Sequence, residues 1–336
     1  MRLLFSLAAA VVVGLLGVGL GSEFITPDHI LNVLGHKLFG FSLADGVKPA
    51  TLAIVWNLRL PRALLAFLVG GAVAVSGAVM QSVLKNPLAS SYTLGVSSGA
   101  ALGASLSIIT GFTIPFLGIF TQPMLGLVFG VGTVVLAVAF AARMDRNMEN
   151  TTIILTGMVF SLFANALLTM TLAVYREDLR RVIFWQMGSF SLKSWPQAGA
   201  LAPIALVCFV LLWRYCRELD VLTFGEEQAQ SMGVDSKKVK WILLGLAAIL
   251  TGNAISFVGI IGFVDLFTPH VVRRMFGASH RWVLPLSALW GGSFMVLCDL
   301  VARTALSPLE LPVGAVTALF GAPFFIYLYR KGRRAV

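Results

Sequence analysis

Two groups of side chains in this sequence could do chemistry, and neither has the make-up of an enzyme's active site. The first lies in a charged island over residues 217–240, RELDVLTFGEEQAQSMGVDSKKVK, set in an otherwise apolar chain. Within it Glu226, Glu227, Gln228, Ala229, Met232 and Gly233 alternate charged with small and apolar side chains at helical spacing. Gly233 can close such a helix in the left-handed conformation. A short amphipathic element between two apolar runs suits the docking of a soluble partner that pushes on the chain. The alternative is a solvated loop with one helical turn. The second candidate is Asp265, a carboxylate inside the run FVDLFTPH. At membrane depth such a group is unfavourable unless paired or wet. Asp265 is therefore expected to join a buried ion pair, to line a wet pathway, or to reach water from a helix end.

Other chemistries find little support. The phosphate-binding pattern G-x-x-x-x-G-K-[ST] does not occur, so any ATP chemistry belongs to another polypeptide. No nucleophile with its base stands inside the apolar runs, and the chain is not expected to be an enzyme. Cys208, Cys216 and Cys298 show neither disulfide nor metal spacing. His270 and His280 flank the basic pair Arg273 and Arg274, where turn structure is a better account than metal ligation. No metal site and no resident cofactor are expected. Asp299 stands four residues before Arg303, the spacing of a helical ion pair.

The elements that must position these groups are membrane spans. Hydrophobic residues make up 58% of the 336-residue chain and charged residues 12%, and the mean hydropathy is +0.89. So few charges cannot cover a soluble surface of this size. Apolar runs fall near 3–21, 57–83, 93–110, 123–142, 152–172, 196–215, 239–258, 261–275, 282–304 and 313–329. Runs near twenty residues match a bilayer core about 30 Å thick. They do not alternate as the strands of a barrel would. The sequence predicts an all-α polytopic membrane protein, a single domain over 1–336, with about ten transmembrane helices. The run 261–275, broken by Pro269, is the least secure of them. The first run is read as an uncleaved span, with a cleaved signal peptide as the alternative. Residues 22–56 are moderately polar and are expected to include a short helix on the outer surface.

With both termini in the cytoplasm, sixteen of the 25 Lys and Arg fall inside, including Arg2, Lys85, Arg143, Arg146, Lys240, Arg273, Arg330, Lys331, Arg333 and Arg334. That bias supports this orientation. It also accounts for the net charge of +10 without a nucleic-acid partner. Tyr327 and Tyr329 read as an interfacial anchor before the basic tail. Small residues at Gly95, Gly99 and Gly103 let helix backbones approach closely in lipid.

Four stretches in order carry a resemblance. They are RLPRALLAFLVGGAVAVSGAVMQSVLKNPLASSYTLGVSSGAALGA (59–104); TGMVFSLFANALLT with RRVIFWQMGSFSLKSW, within 156–195; the island with GEEQAQSMGV; and GIIGFVDLFTPHVVRRMFG (259–277), followed by LPLSALWGG, DLVART and ELPVGAVTALFGAPFFIYL. Together these resemble the FecCD-type permease subunits of ABC importers for iron–siderophore complexes, haem and cobalamin, over nearly all of the chain after residue 55.

The resemblance implies a permease of a bacterial or archaeal cytoplasmic (inner) membrane. It would pair with a second copy or a sister permease around a translocation pathway. Two cytoplasmic ATPase subunits carrying ATP and magnesium would bind beneath, and a substrate-binding protein would dock outside. Glu226, Glu227, Gln228, Ala229, Met232 and Gly233 would then form the ATPase-coupling element. Arg59, Arg62 and Arg303 would face carboxylates of the binding protein, since arginine pairs with carboxylate through two parallel bonds; snorkelling to lipid phosphate is the alternative. Arg176, Arg180 and Arg181 would assist docking or attract an anionic chelate. Asn86, Pro87 and Leu88 would form a cytoplasmic gate with Asn150 and Thr151. Asp265 departs from the family, which commonly has glycine there. Iron–siderophore or haem is the preferred cargo, ahead of cobalamin or an oxyanion. A secondary carrier is a distant alternative, for which Asp265 offers the one clear mid-membrane charge.

Overall fold

The computed structural model describes residues 2–333 apart from Ser22, Asp45, Gly46 and Arg146, and describes no side chain beyond Pro323. The expected charge at Arg146, the anchor of Tyr327 and Tyr329 and the basic tail therefore lie outside the described residues or side chains. The described chain holds fourteen α-helices and no strand longer than an isolated bridge. In order they are α1 (Arg2–Gly19), α2 (Pro27–Phe39), α3 (Pro49–Val83), α4 (Val96–Thr110), α5 (Thr121–Met144), α6 (Asn150–Val174) and α7 (Leu179–Gln186). There follow α8 (Trp195–Arg214), α9 (Cys216–Phe224), α10 (Glu226–Ser231), α11 (Ser236–Val258), α12 (Val264–Phe276), α13 (His280–Thr304) and α14 (Val313–Arg333). Helix α3 passes through one widened π turn, Ile54–Arg59, just before Pro61.

Seven helices are long and apolar enough to cross a membrane: α1, α3, α5, α6, α8, α11 and α13. Of the ten apolar runs, seven fold as these helices, and the runs 93–110 and 261–275 fold as shorter helices. Both are shortened at their starts by a left-handed residue, Gly95 at φ 92° and Phe263 at φ 70°. The 15 residues of α4 and the 13 of α12 give lengths of about 20 Å at 1.5 Å per residue, less than the bilayer core. The third, α14, is described in full only along its backbone. The helix expected on the outer surface is α2, and its Ile30 and Val33 are buried in a small cluster with Val18 and Val55.

Helices α3 and α11 form the centre, where Leu65, Val69, Val73, Met80, Leu243, Leu244 and Ala247 are buried. Around this centre α1, α6 and α8 turn many large apolar side chains outward, among them Phe5, Val12, Leu162, Phe163 and Leu206. A contiguous apolar exterior of that kind is stable against acyl chains and not against water.

Lipid supplies no hydrophobic force between helices, so packing rests on close approach. A Cβ added at Gly70 of α3 would collide with the Gly291 carbonyl of α13, and one added at Gly291 with the Gly70 carbonyl. At Gly71 it would stand 3.0 Å from the Ala288 carbonyl. Gly99 and Gly103 of α4 lie in the same way against Phe129, Gly130 and Leu125 of α5, which places the expected small-residue stripe at a helix interface. Gly70→Leu is expected to destabilise the protein by about 3 kcal/mol, the upper end for overpacking, because backbone lines both sides. Thermal unfolding in detergent checks this, and an unchanged midpoint would show that the two backbones are not in contact.

Candidate functional site: two polar ends of one helix pair

The charged island folds as two short helices between α8 and α11. The chain turns at Tyr215, runs through α9, reverses at Gly225 (φ 140°), forms α10 and leaves it through Gly233 at φ 82°. Asp235 then caps α11 by accepting from the Lys238 amide at 3.1 Å. Ala229 is buried and anchors α10. Glu227, Gln228 and Gly233 face outward, and Met232 is 67% exposed. Glu226 has a different role within the set. Its Oε1 accepts from the buried Lys240 ammonium at 2.6 Å. Phe224, at 74% exposed, adds an apolar side chain that sequence reasoning missed. A bare aromatic at the end of a charged helix was the available signal.

The same end carries a buried polar chain. Asp220 of α9 accepts from the His280 amide at 2.9 Å and pairs with His280 Nδ1 at 2.6 Å. His280 Nε2 lies 2.6 Å from the Ser82 hydroxyl of α3. Arg273 of α12 donates to Ser82 Oγ at 3.1 Å, to the Ala78 carbonyl at 3.0 Å and to Gln81 Oε1. Gln81 donates in turn to the Asp265 carbonyl at 3.0 Å. His280 thus serves the turn structure expected of it. Among the described residues no cluster of three His, Cys, Asp or Glu could hold a metal ion.

Asp265 stands at the start of α12 and is 1% exposed. Its Oδ2 accepts from the Ser90 hydroxyl, and its Oδ1 has no partner among the described residues. No described cation pairs with it. Ser90 follows the Asn86–Ala89 turn, in which Asn86 Oδ1 accepts from the Leu88 amide at 2.9 Å. Pro87 and Leu88 are exposed. Beyond that turn the Ser91 and Ser76 hydroxyls lie 2.6 Å apart, and Tyr92 donates to the Ile261 carbonyl. Asn150 and Thr151 open α6, and Asn150 Oδ1 is buried without a partner among the described residues. No hydrogen bond joins these two to the 86–89 turn among the described residues. The turn before them is stiff. Asp145 accepts from the Asn147 and Glu149 amides at 2.8 and 2.6 Å, and these bonds hold its carboxyl below the usual range.

At the other end of α3 the three arginines turn inward. Arg59 is 8% exposed and donates to the Val18, Gly19 and Glu23 carbonyls at 3.1, 3.0 and 2.7 Å, which closes the end of α1. Arg62 forks between Asp299, at 2.8 Å, and Glu310, at 2.8 Å. The Arg62 contact holds the Glu310 carboxyl below its ordinary range. Asp299 also meets Arg303 at 3.7 Å, the helical pair that the spacing suggested, and Arg303 donates to the Gly17 carbonyl. Arg181 pairs with Asp178, and Arg180 lies over the Phe184 ring. From Arg62 to Ser82 the helix rises about 30 Å, so the two polar ends stand a membrane's thickness apart.

A bundle of apolar-faced helices with polar clusters at opposite ends, and an exposed amphipathic element at one of them, defines a membrane permease. The chain belongs to the FecCD transport family, whose model matches residues 9–331. It is 39% identical to the cobalamin import system permease protein BtuC of Halobacterium salinarum, over 94% of this chain and 86% of that one. It is 37% identical to the hemin transport system permease protein HmuU of Yersinia pestis, over 83% of this chain and 84% of that one. A solved metal-chelate type ABC transporter in an inward-facing conformation superposes with a TM-score of 0.85, at 30% identity, over 98% of this chain and 99% of that one.

Asp220→Ala is expected to destabilise the protein by about 1–2 kcal/mol, since it removes a helix cap and one partner of His280. A lower melting temperature with restored stability in Asp220→Asn would check the contact.

Proposed function

We propose that this chain is the membrane-spanning permease of an ATP-driven importer of metal chelates in a bacterial or archaeal cytoplasmic membrane. The observation that carries the reading is the exposed face of α10. Glu227 and Gln228 stand outward on this short helix, which is anchored at Ala229 and held at Glu226, and exposed Phe224 and Met232 flank its two ends. Such a face, apolar at its ends and charged between, suits a cleft in a soluble partner. The partner is an ATPase subunit carrying ATP and magnesium, and two of them serve a pair of permeases. A binding protein delivers the cargo at the opposite end. Docking there through Arg62 and Arg303 competes with Asp299 and Glu310 for the same guanidinium donors, and Arg59 acts from behind as the clamp on α1.

The cytoplasm is assigned to the α10 side, because Lys85, Arg143, Lys240 and Arg273 belong to it and Arg2 donates to the Phe276 carbonyl at the end of α12. Family members named for cobalamin and for haem stand at nearly equal identity, which supports a metal–tetrapyrrole ahead of a ferric siderophore. The test is uptake into proteoliposomes holding this permease, its ATPase and its binding protein, with haem, cobalamin and a ferric siderophore run in parallel. Uptake of one cargo is expected, falling at least about tenfold in Glu227→Lys, as charge reversal at a docking contact does. Uptake that survives inactivation of the ATPase would contradict the reading.

A further inference from the structure

Lys240 belongs to the second turn of α11 and is 1% exposed. An ammonium removed from water persists only where acceptors replace its hydration. Two do so here, Glu226 Oε1 at 2.6 Å and the Met148 carbonyl at 2.8 Å. They come from separate parts of the fold. Glu226 is the first residue of α10, and Met148 belongs to the turn that opens α6. Each is fixed on its own side. Ala229 buries the inner face of α10, one helical turn from Glu226. Asp145 holds the amides on either side of Met148, which is itself buried at φ 54°. The compact ammonium therefore joins two stiff pieces through short bonds out of water.

We propose that Lys240 is a positioning residue that carries displacement of α10 to the 145–149 turn and so to the start of α6, where Asn150 and Thr151 stand. The inference rests on the reading of α10 as the ATPase-facing element and adds to it a residue and a route. If α10 moves and the turn does not, the ammonium loses an acceptor while still buried. Joint movement avoids that state, so the tie transmits displacement instead of yielding. The free Oδ1 of Asn150, two residues beyond Met148, is a buried acceptor that a shift of this turn would re-aim.

The test uses the full complex in proteoliposomes and reads cargo transported per ATP hydrolysed. Lys240→Met removes both bonds and leaves Glu226 partly in water. It is expected to assemble and to hydrolyse ATP, while transport per ATP falls about tenfold, within the usual span of coupling between sites. Lys240→Arg keeps the charge and the donors, and is expected to recover most of the ratio. A merely structural residue would lower the yield and melting temperature of the complex and leave the ratio alone, and that result would overturn the proposal. If Lys240→Met fails to assemble, Lys240→Gln, which retains a donor, is read in its place. Failure of both to assemble would make Lys240 structural and would also overturn it. An unaltered chain that binds no ATPase would defeat the reading of α10 itself, and the proposal with it.

Discussion

The backbone-to-backbone approach of α3 and α13 at Gly70 and Gly291 is the constraint on which the rest depends. With no side chain between them, these helices can come no closer and slide no further. Their antiparallel register follows. Eight residues towards the start of α3, Arg62 meets Asp299, which lies eight residues towards the end of α13. Twelve residues the other way, Ser82 meets His280 at the opposite end. The small-residue contact thus sets two polar clusters a membrane's thickness apart on one rigid pair. Buried polar groups must find partners, and the register supplies them at both ends.

From that pair the functional parts are reached through polar side chains. Asp220 links α9 to the start of α13, Arg273 and Gln81 link α12 to α3, and Lys240 links α10 to the turn before α6. Each of these bonds has one end at a buried side chain, Lys240, His280 or Gln81, where water competes little, so they behave as struts. The exposed face of α10, flanked by Phe224 and Met232, offers both charge and bare apolar side chains to a partner. A force applied there meets struts to α11 and α6, with α9 adjoining.

Much of this was legible in the sequence. The charged island is visible as polarity inside an apolar chain, its closing Gly233 does adopt a left-handed conformation, and the stripe Gly95, Gly99 and Gly103 marks a real helix contact. The Asp299–Arg303 pair followed from spacing alone. Other features were hidden because they depend on partners far along the chain. The burial of Arg59 requires the end of α1, forty residues away. Asp265 resembled an ion-pairing group, yet the geometry gives it the Ser90 hydroxyl. Lys240 read as one more basic residue of a cytoplasmic flank until Glu226 and Met148 closed over it. Hydropathy does not register the left-handed starts at Gly95 and Phe263 that make α4 and α12 shorter than the other spans.

The central claim is that a separate ATPase grips α10. Cross-linking from Met232→Cys in the assembled complex tests it most directly, with Leu309→Cys, exposed at the opposite end, as the reference. The account predicts a permease–ATPase cross-link from position 232, responsive to ATP, and none from position 309. A cross-link from position 309 with none from position 232 would contradict it.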